Sequence, residues 1–380
     1  MKMVPLGEVA EFINGVAFKP DDWHGRGLPI IRIQNLTDPS KPINYTTRQV
    51  DEKYRVQRDD LLVSWSATLG VFVWDRTEEA LVNQHIFRVI PHKHLVTPAF
   101  LRHMLTSALT SMERHLHGAT MKHVNRAEFL GTPIPLPSLG EQRRIAAILD
   151  HTDALRAVRR RNLDNWHELA SSTFYEMFGD PVVNPKAWPE VKFADQVTDM
   201  QYGPRFYNES YSADGMRIVR ITDLDRTGAL DFDSMPRMTV TAEDELKYSL
   251  SPGDIIFART GATVGKLAVI REQDPPCIAG AYFIRIQMNE SVDPDYAAAV
   301  LRSKSIQSII VGGSHQSAQQ NFSGPGLRAL PFPVPPIALQ RQFASALAHQ
   351  AKAQVPVLRA AEHLDQLFAS LQSRAFRGEL

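Results

Sequence analysis

Apolar residues in this chain come in two rhythms. The first is a set of short runs rich in branched and aromatic residues: "LPIIRIQNL" (28–36), "DLLVSWSA" (60–67), "GVFVW" (70–74) and "HIFRVI" (85–90), with Gly, Pro, Asn and Asp between them. Runs of this length bounded by turn formers predict the strands of an irregular, β-rich domain. The second rhythm is helical. Residues 98–116 and 294–311 each carry a helix pattern, followed by the polar, glycine-containing loops "HGATMKHVN" (117–125) and "GGSHQSAQQN" (312–321). Proline-spaced straps come next, "TPIPLP" (132–137) and "LPFPVPP" (330–336), where proline fixes φ and blocks a helix. From about Glu141 to Phe178 there is neither internal proline nor a glycine. Ile145, Leu149, Leu155, Leu163, Trp166, Leu169, Phe174, Met177 and Phe178 recur mostly at three- and four-residue steps. That spacing predicts one long amphipathic helix of roughly 57 Å. Phe343, Leu347, Leu358, Leu364, Leu367, Phe368 and Leu371 repeat the pattern near the other end, with Pro356 predicting a kink or break.

The chain is written twice. "LPIIRIQNLTD" (28–38) aligns with "MRIVRITDLDR" (216–226), "DDLLVSWSATLGVFV" (59–73) with "GDIIFARTGATVGKLAV" (253–269), and "QHIFRVI" (84–90) with "AYFIRIQ" (281–287). "TPAFL" (97–101) aligns with "DPDYA" (293–297), and "TPIPLPSLGEQRRIAAIL" (132–149) with "LPFPVPPIALQRQFASAL" (330–347). The offset drifts only from 188 to 198 residues along the whole order, which marks a duplicated unit. Two long helices that each follow a globular copy can bury their apolar faces on one another or on their own domains. The paired, antiparallel arrangement is favoured, because it relates two equivalent domains by a pseudo-twofold axis.

Duplication also decides a tempting motif. "GATVGK" (261–266) resembles a phosphate-cradling loop, but its glycines are one residue too close and Leu267 stands where a Ser or Thr must hold Mg²⁺. The first copy reads "SATLGV" (66–71), without the lysine, so the segment reads as a glycine turn between strands. "DPPC" (274–277) lacks the aromatic residue that stacks on a flipped base in amino-methyltransferases. "EDELK" (243–247) has no convincing upstream acid to make it a nuclease site. Neither H-E-x-x-H nor G-x-S-x-G occurs.

Composition narrows the class further. One cysteine, Cys277, excludes an internal disulfide framework and a cysteine-based zinc cluster. Apolar content of 43% without any run of eighteen apolar residues points to a cytoplasmic, globular protein. Net charge is zero, yet no Asp or Glu falls between Asp295 and Glu362, while Arg302, Lys304, Arg328, Arg341, Lys352 and Arg359 do. Residues 102–126 hold Arg102, Arg114, Lys122, Arg126 and four histidines against Glu113 alone. Such local bias makes a positive surface on a neutral protein, or simply a solvated helix face.

Two similar domains on a helical spacer form a caliper, and duplex DNA is what a caliper of this kind measures. The two strap-plus-helix segments, "PIPLPSLGEQRRIAAILD" and "PFPVPPIALQRQFASAL", resemble the specificity subunits of type I restriction–modification systems, as does "GDIIFARTGATVGKLAV". "ALQRQ" (338–342) departs from the pattern by lacking the counterpart of Glu141. The resemblance implies an α+β, internally duplicated fold: target recognition domains over 1–135 and 182–333, a strap with the first spacer helix over 136–181, and a second spacer helix over 334–380. It implies that each domain reads one part of an asymmetric bipartite site and that the helices set the unread gap. No catalytic centre is implied in this chain. S-adenosylmethionine, ATP and Mg are expected on partners: modification subunits, two of them, and restriction subunits. A DNA-binding adapter of another defence complex and a self-contained enzyme are the alternatives.

DNA contact is expected from polar loops that repeat in position but not in sequence, supplying phosphate-holding Lys and Arg and base-reading polar side chains. In the first domain these are Lys19, Ser64, Ser66, Thr120, Lys122, His123 and Asn125. In the second they are Tyr202, Arg205, Arg259, Thr260, His315, Gln316, Ser317, Gln319, Gln320 and Asn321. Arg143, Arg144, Arg159, Arg160 and Arg161 lie on the first long helix, either to dock a partner or to keep its outer face soluble.

Overall fold

A computed structural model describes residues 2–115, 125–205, 210–225, 227–314 and 321–380. The chain folds as two compact units, Met1–Arg159 with Ala360–Leu380, and Arg160–Arg359. Strands of the first unit are β1 (Met3–Pro5), β2 (Ala10–Asn14), β3 (Leu28–Ile31), β4 (Asn44–Thr46), β5 (Arg55–Val56), β6 (Leu61–Ser64), β7 (Gly70–Val73), β8 (Ala80–Val82), β9 (Ile86–Pro91) and β10 (Pro133–Pro135). Those of the second are β11 (Glu190–Lys192), β12 (Val197–Tyr202), β13 (Met216–Val219), β14 (Arg237–Met238), β15 (Ile255–Ala258), β16 (Leu267–Val269), β17 (Cys277–Ala279), β18 (Phe283–Met288) and β19 (Pro331–Pro333).

Sheet topology repeats. An antiparallel sheet runs β2-β9-β6-β7 in the first unit and β12-β18-β15-β16 in the second. A smaller sheet runs β4-β3-β8-β5, with β3 and β8 parallel, and its counterpart runs β14-β13-β17, with β13 and β17 parallel. Where β5 pairs with β8, the second unit keeps only a bridge between Ser249 and Ile278. The straps pair antiparallel with the opening strand of each unit, β1 with β10 and β11 with β19. Proline is tolerated there because a two-stranded ribbon leaves one edge unpaired.

The long helices span Leu139–Phe178 and Ile337–Arg377. In the first unit, Ile145, Ala146 and Leu149 share one core with Phe100, Leu105, Phe129, Phe368 and Ala375. Arg156 Nε reaches Asp365 Oδ1 at 2.5 Å, and its guanidinium sits 4.4 Å from the centre of the Phe368 ring. In the second unit, Phe174 and Phe178 pack on Phe343 with ring centres 5.8 and 5.5 Å apart. Early turns of one helix thus meet late turns of the other in each unit, the contact of an antiparallel pair. Each helix also packs on its own globular part, so the two packing arrangements open at the sequence level coexist. Tyr296, fully buried, joins the aromatic cluster of the second unit and donates from its hydroxyl to the Pro333 carbonyl at 2.8 Å. Edge-to-face pairs of this kind contribute about 0.5–1.5 kcal/mol beyond their buried area.

One buried glutamine organises the start of each long helix. Gln142 donates to the carbonyls of Leu95 and Pro137 at 2.8 and 3.0 Å, and Gln340 to those of Ser291 and Pro335 at 3.2 and 2.8 Å. Both are fully buried, and both tie the strap, the long helix and the preceding helix into one knot.

Two expectations are corrected. The helix beginning at Pro294 does not run on to 311; it ends at Arg302, and a second helix covers Lys304–Ser314. Ser303 between them is extended and buried, and its hydroxyl donates to the Val300 carbonyl at 2.7 Å in place of the continuing helix ladder. Of the kink or break expected at Pro356, the break does not occur, since the second long helix runs through it from Ile337 to Arg377. Proline removes one N–H from the helical ladder there, and the flanking Val355 and Leu358 are both exposed.

Candidate nucleic-acid interface

The glycine segment at 261–266 is a turn. Gly261–Thr263 forms a single 3₁₀ turn between β15 and β16, and Gly265 has φ of +90°. The Lys266 ammonium donates to the Leu224 carbonyl at 3.2 Å, so it is engaged within the fold. Cys277 of "DPPC" is fully buried in β17, and burial pushes its thiol up to about 12. Among the described residues, no group of three or more His, Cys, Asp or Glu is placed to hold a metal, and no helix is long and apolar enough to cross a membrane.

In the second unit the ends of β12 and β15, the entry to β18 and the stretch 321–324 meet. The Arg259 guanidinium lies 4.7 Å from the centre of the Tyr202 ring. The Tyr202 hydroxyl accepts from the Gly324 N–H at 3.1 Å. Arg259 N–H donates to the Tyr282 carbonyl at 2.9 Å, and the Arg259 carbonyl accepts from Phe322 N–H at 2.8 Å. Thr260 and Asn321 form an antiparallel bridge. Arg259 Nε and Thr260 Oγ1 are buried without a hydrogen-bond partner among the described residues. Tyr202 and Tyr282 are about half exposed beside them. A cleft of about 470 Å³ opens alongside, bounded by Pro204, Tyr211, Arg220 and Tyr282. Arg220 is held there by a fork onto the buried Asp223.

The first unit builds the same framework with other side chains. Gly15 follows β2 as Gly203 follows β12, and a Cβ on either would come 2.2 Å from a carbonyl oxygen, of Asn83 and Gly280 respectively. Only glycine allows that approach. Trp65 N–H donates to the His85 carbonyl at 3.3 Å, matching Arg259 and Tyr282. Asn14, Trp65 and His85 therefore stand where Tyr202, Arg259 and Tyr282 stand in the second unit, and Asn125 and Ser323 each cap the short helix before the strap.

Of the residues chosen from sequence, Tyr202, Arg259, Thr260 and Asn321 are brought together. Arg205, exposed, follows Tyr202 by three residues and is engaged by a partner. Asn125 is exposed and caps the helix Arg126–Gly131 through a bond from Ala127 N–H at 2.9 Å. Lys19 is exposed at the head of the 3₁₀ turn Pro20–Asp22. Ser64 and Ser66 are buried, which corrects the choice of them as contact residues. Ser64 Oγ donates to the Thr68 carbonyl at 2.6 Å and so closes the turn. Thr120, Lys122, His123, His315, Gln316, Ser317, Gln319 and Gln320 lie outside the described residues. On the first long helix, Arg143 donates to the Leu139 carbonyl at 3.1 Å, while Arg144 is paired with Glu141 at 2.7 Å and also bonds the Leu380 backbone oxygen. Arg159 is half-buried, and Arg160 and Arg161 are exposed. Sequence reasoning missed Asn14, Trp65, His85 and Tyr282. A G-x-x-F spacing shared by 15–18 and 203–206 would have aligned the first of them.

A β-rich framework thus occurs twice, with matched turns that carry different side chains. Residues 1–163 match the model of the type I restriction modification DNA specificity domain family. Along nearly its whole length the chain is similar to type I specificity subunits. It is 24% identical to the type I restriction enzyme EcoBI specificity subunit of Escherichia coli, over 99% of this chain and 85% of that protein. It is 22% identical to the EcoKI specificity subunit of E. coli strain K12, over all of this chain and 89% of that one. The fold matches the S subunit of the type I system from M. genitalium, with TM-score 0.52, 13% identity and coverage of 99% and 96%. It also matches a chain from a type I system solved for its complex assembly and conformational transition, with TM-score 0.51, 17% identity and coverage of 100% and 98%.

Proposed function

We propose that this chain is the DNA-recognition subunit of a type I restriction–modification complex, each unit reading one part of an asymmetric, bipartite duplex site. One observation carries the reading. The same glycine-pinned framework occurs twice, and its matched positions hold different residues: Asn14, Trp65 and His85 against Tyr202, Arg259 and Tyr282. Specificity of this kind needs rigid loops whose side chains reach base edges while Arg and Lys hold phosphates.

The chemistry belongs to partners. Modification subunits, two per complex, carry S-adenosylmethionine, and restriction subunits add ATP and Mg; this chain supplies no catalytic group. Exposed Arg143, Arg160 and Arg161, with Arg144 and Arg159, form the docking side of the first long helix. The test is co-purification with a modification subunit encoded beside it, followed by single-molecule sequencing of the modified DNA. A methylated motif of two specified parts and an unread gap is the expected result. A stable complex that methylates nothing would move the chain to another system.

A further inference from the structure

We infer that Asn14, held by Trp65, is a base-reading residue of the first unit and takes an adenine edge in the major groove. The inference rests on the DNA-recognition reading and names how one half of the site is read. Asn14 is exposed at the end of β2. The Trp65 indole N–H donates to Asn14 Oδ1 at 3.2 Å. An indole N–H can only donate, so it fixes which way the carboxamide faces. Among the described residues, one Oδ1 lone pair and both Nδ2 hydrogens stay available, the acceptor–donor pair that matches adenine N6–H and N7.

The indole is itself clamped. It stacks on Phe87 with ring centres 5.8 Å apart and planes at 28°, and His85 packs edge-on at 5.4 Å. His85 Nδ1 is buried without a hydrogen-bond partner among the described residues. At the matched place in the second unit, Arg259 Nε and Thr260 Oγ1 are in the same condition. Both units thus hold unsatisfied polar atoms here, three of the six such atoms among the described residues, where most buried polar groups of a fold are paired. A clamped side chain loses little freedom on binding, which favours specificity. Asn14 is the reading group, and Trp65 is a positioning residue.

The experiment compares the methylated motif of the wild-type complex with those of Asn14→Ala, Asn14→Asp and Trp65→Phe, each assembled with the modification subunits. Asn14→Ala and Asn14→Asp should each lose about 10- to 100-fold of discrimination at one adenine of one half-site, leaving the other half sharp. Trp65→Phe keeps a ring on Phe87 but removes the N–H, and should relax the same position less. An unfolding midpoint equal to wild type for Asn14→Asp ties its loss to reading. A sharp wild-type motif left unchanged by both Asn14 variants overturns this inference alone, as does relaxation at a base other than adenine. A wild-type complex that methylates no bipartite motif overturns the parent reading and this inference with it.

Discussion

Gln142 Oε1 accepts the backbone N–H of Thr97 at 2.9 Å, and Gln340 Oε1 accepts that of Asp293 at the same distance. Each glutamine is fully buried and spends its NH₂ on two further carbonyls, so one side chain completes three backbone groups at the joint of strap and helices. Replacing Gln142 by Ala strands all three. The expected cost is about 2–4 kcal/mol, the range for leaving buried polar groups unmade. Urea unfolding of the full chain, read by the signal of the first unit, measures it, and Gln340→Ala should act equally on the second unit.

His103 is 2% exposed, and burial is the main reason its imidazole titrates below the ordinary value, with Arg102 adding to the effect and Asp150 opposing it. Its Nε2 lies 2.7 Å from Asp150 Oδ1. In the unfolded chain the ring protonates more readily than in the fold. Its contribution to stability is therefore complete above about pH 6.5 and is lost as pH falls from there toward the depressed value. His103→Gln should flatten the dependence of the unfolding midpoint on pH as pH falls below about 6.5. An unchanged slope would assign that dependence to other groups.

The thiol of Cys277 should stay unreactive. Buried in β17 and pushed up to about 12, it offers almost no thiolate at pH 8. A colourimetric thiol reagent should label the native chain very slowly and the urea-unfolded chain at once. Labelling then reports opening of the second unit.

Gly203 should tolerate no side chain. A Cβ there would come within 2.3 Å of the Ala279 carbonyl oxygen, so Gly203→Ala must push β12 away from β17. The expected loss is about 1–3 kcal/mol, together with weakened DNA binding, because Tyr202 moves with that backbone. Gly15→Ala should do the same in the first unit. Circular dichroism melts with a DNA titration separate the two effects.

The duplication was legible because burial forces the same branched residues at the same spacing in both copies, as in "DLLVSW" and "DIIFAR". Strap, long helices and glycine turn followed from proline, period and glycine. Parallel pairing of β3 with β8 and β13 with β17 was not legible, since strand order depends on contacts far apart in sequence. Pro356 does not end the helix because it stands alone: from Ile337 to Arg377 there is no glycine and no other proline, and strong helix formers flank it. Ser64 misled because a polar residue between strands can turn its hydroxyl inward to close a turn. Asn14 and Trp65 were missed because they lie 51 residues apart, and only the fold puts them in contact.

The central claim is that the two units read separate halves of one site. Its most direct test is the methylated motif produced by the complex carrying Arg259→Ala beside that of wild type. The account predicts that one half of the motif loses definition at one base pair or more while the other half and the gap length stay the same. Loss of definition in both halves, or an unchanged motif, would contradict it.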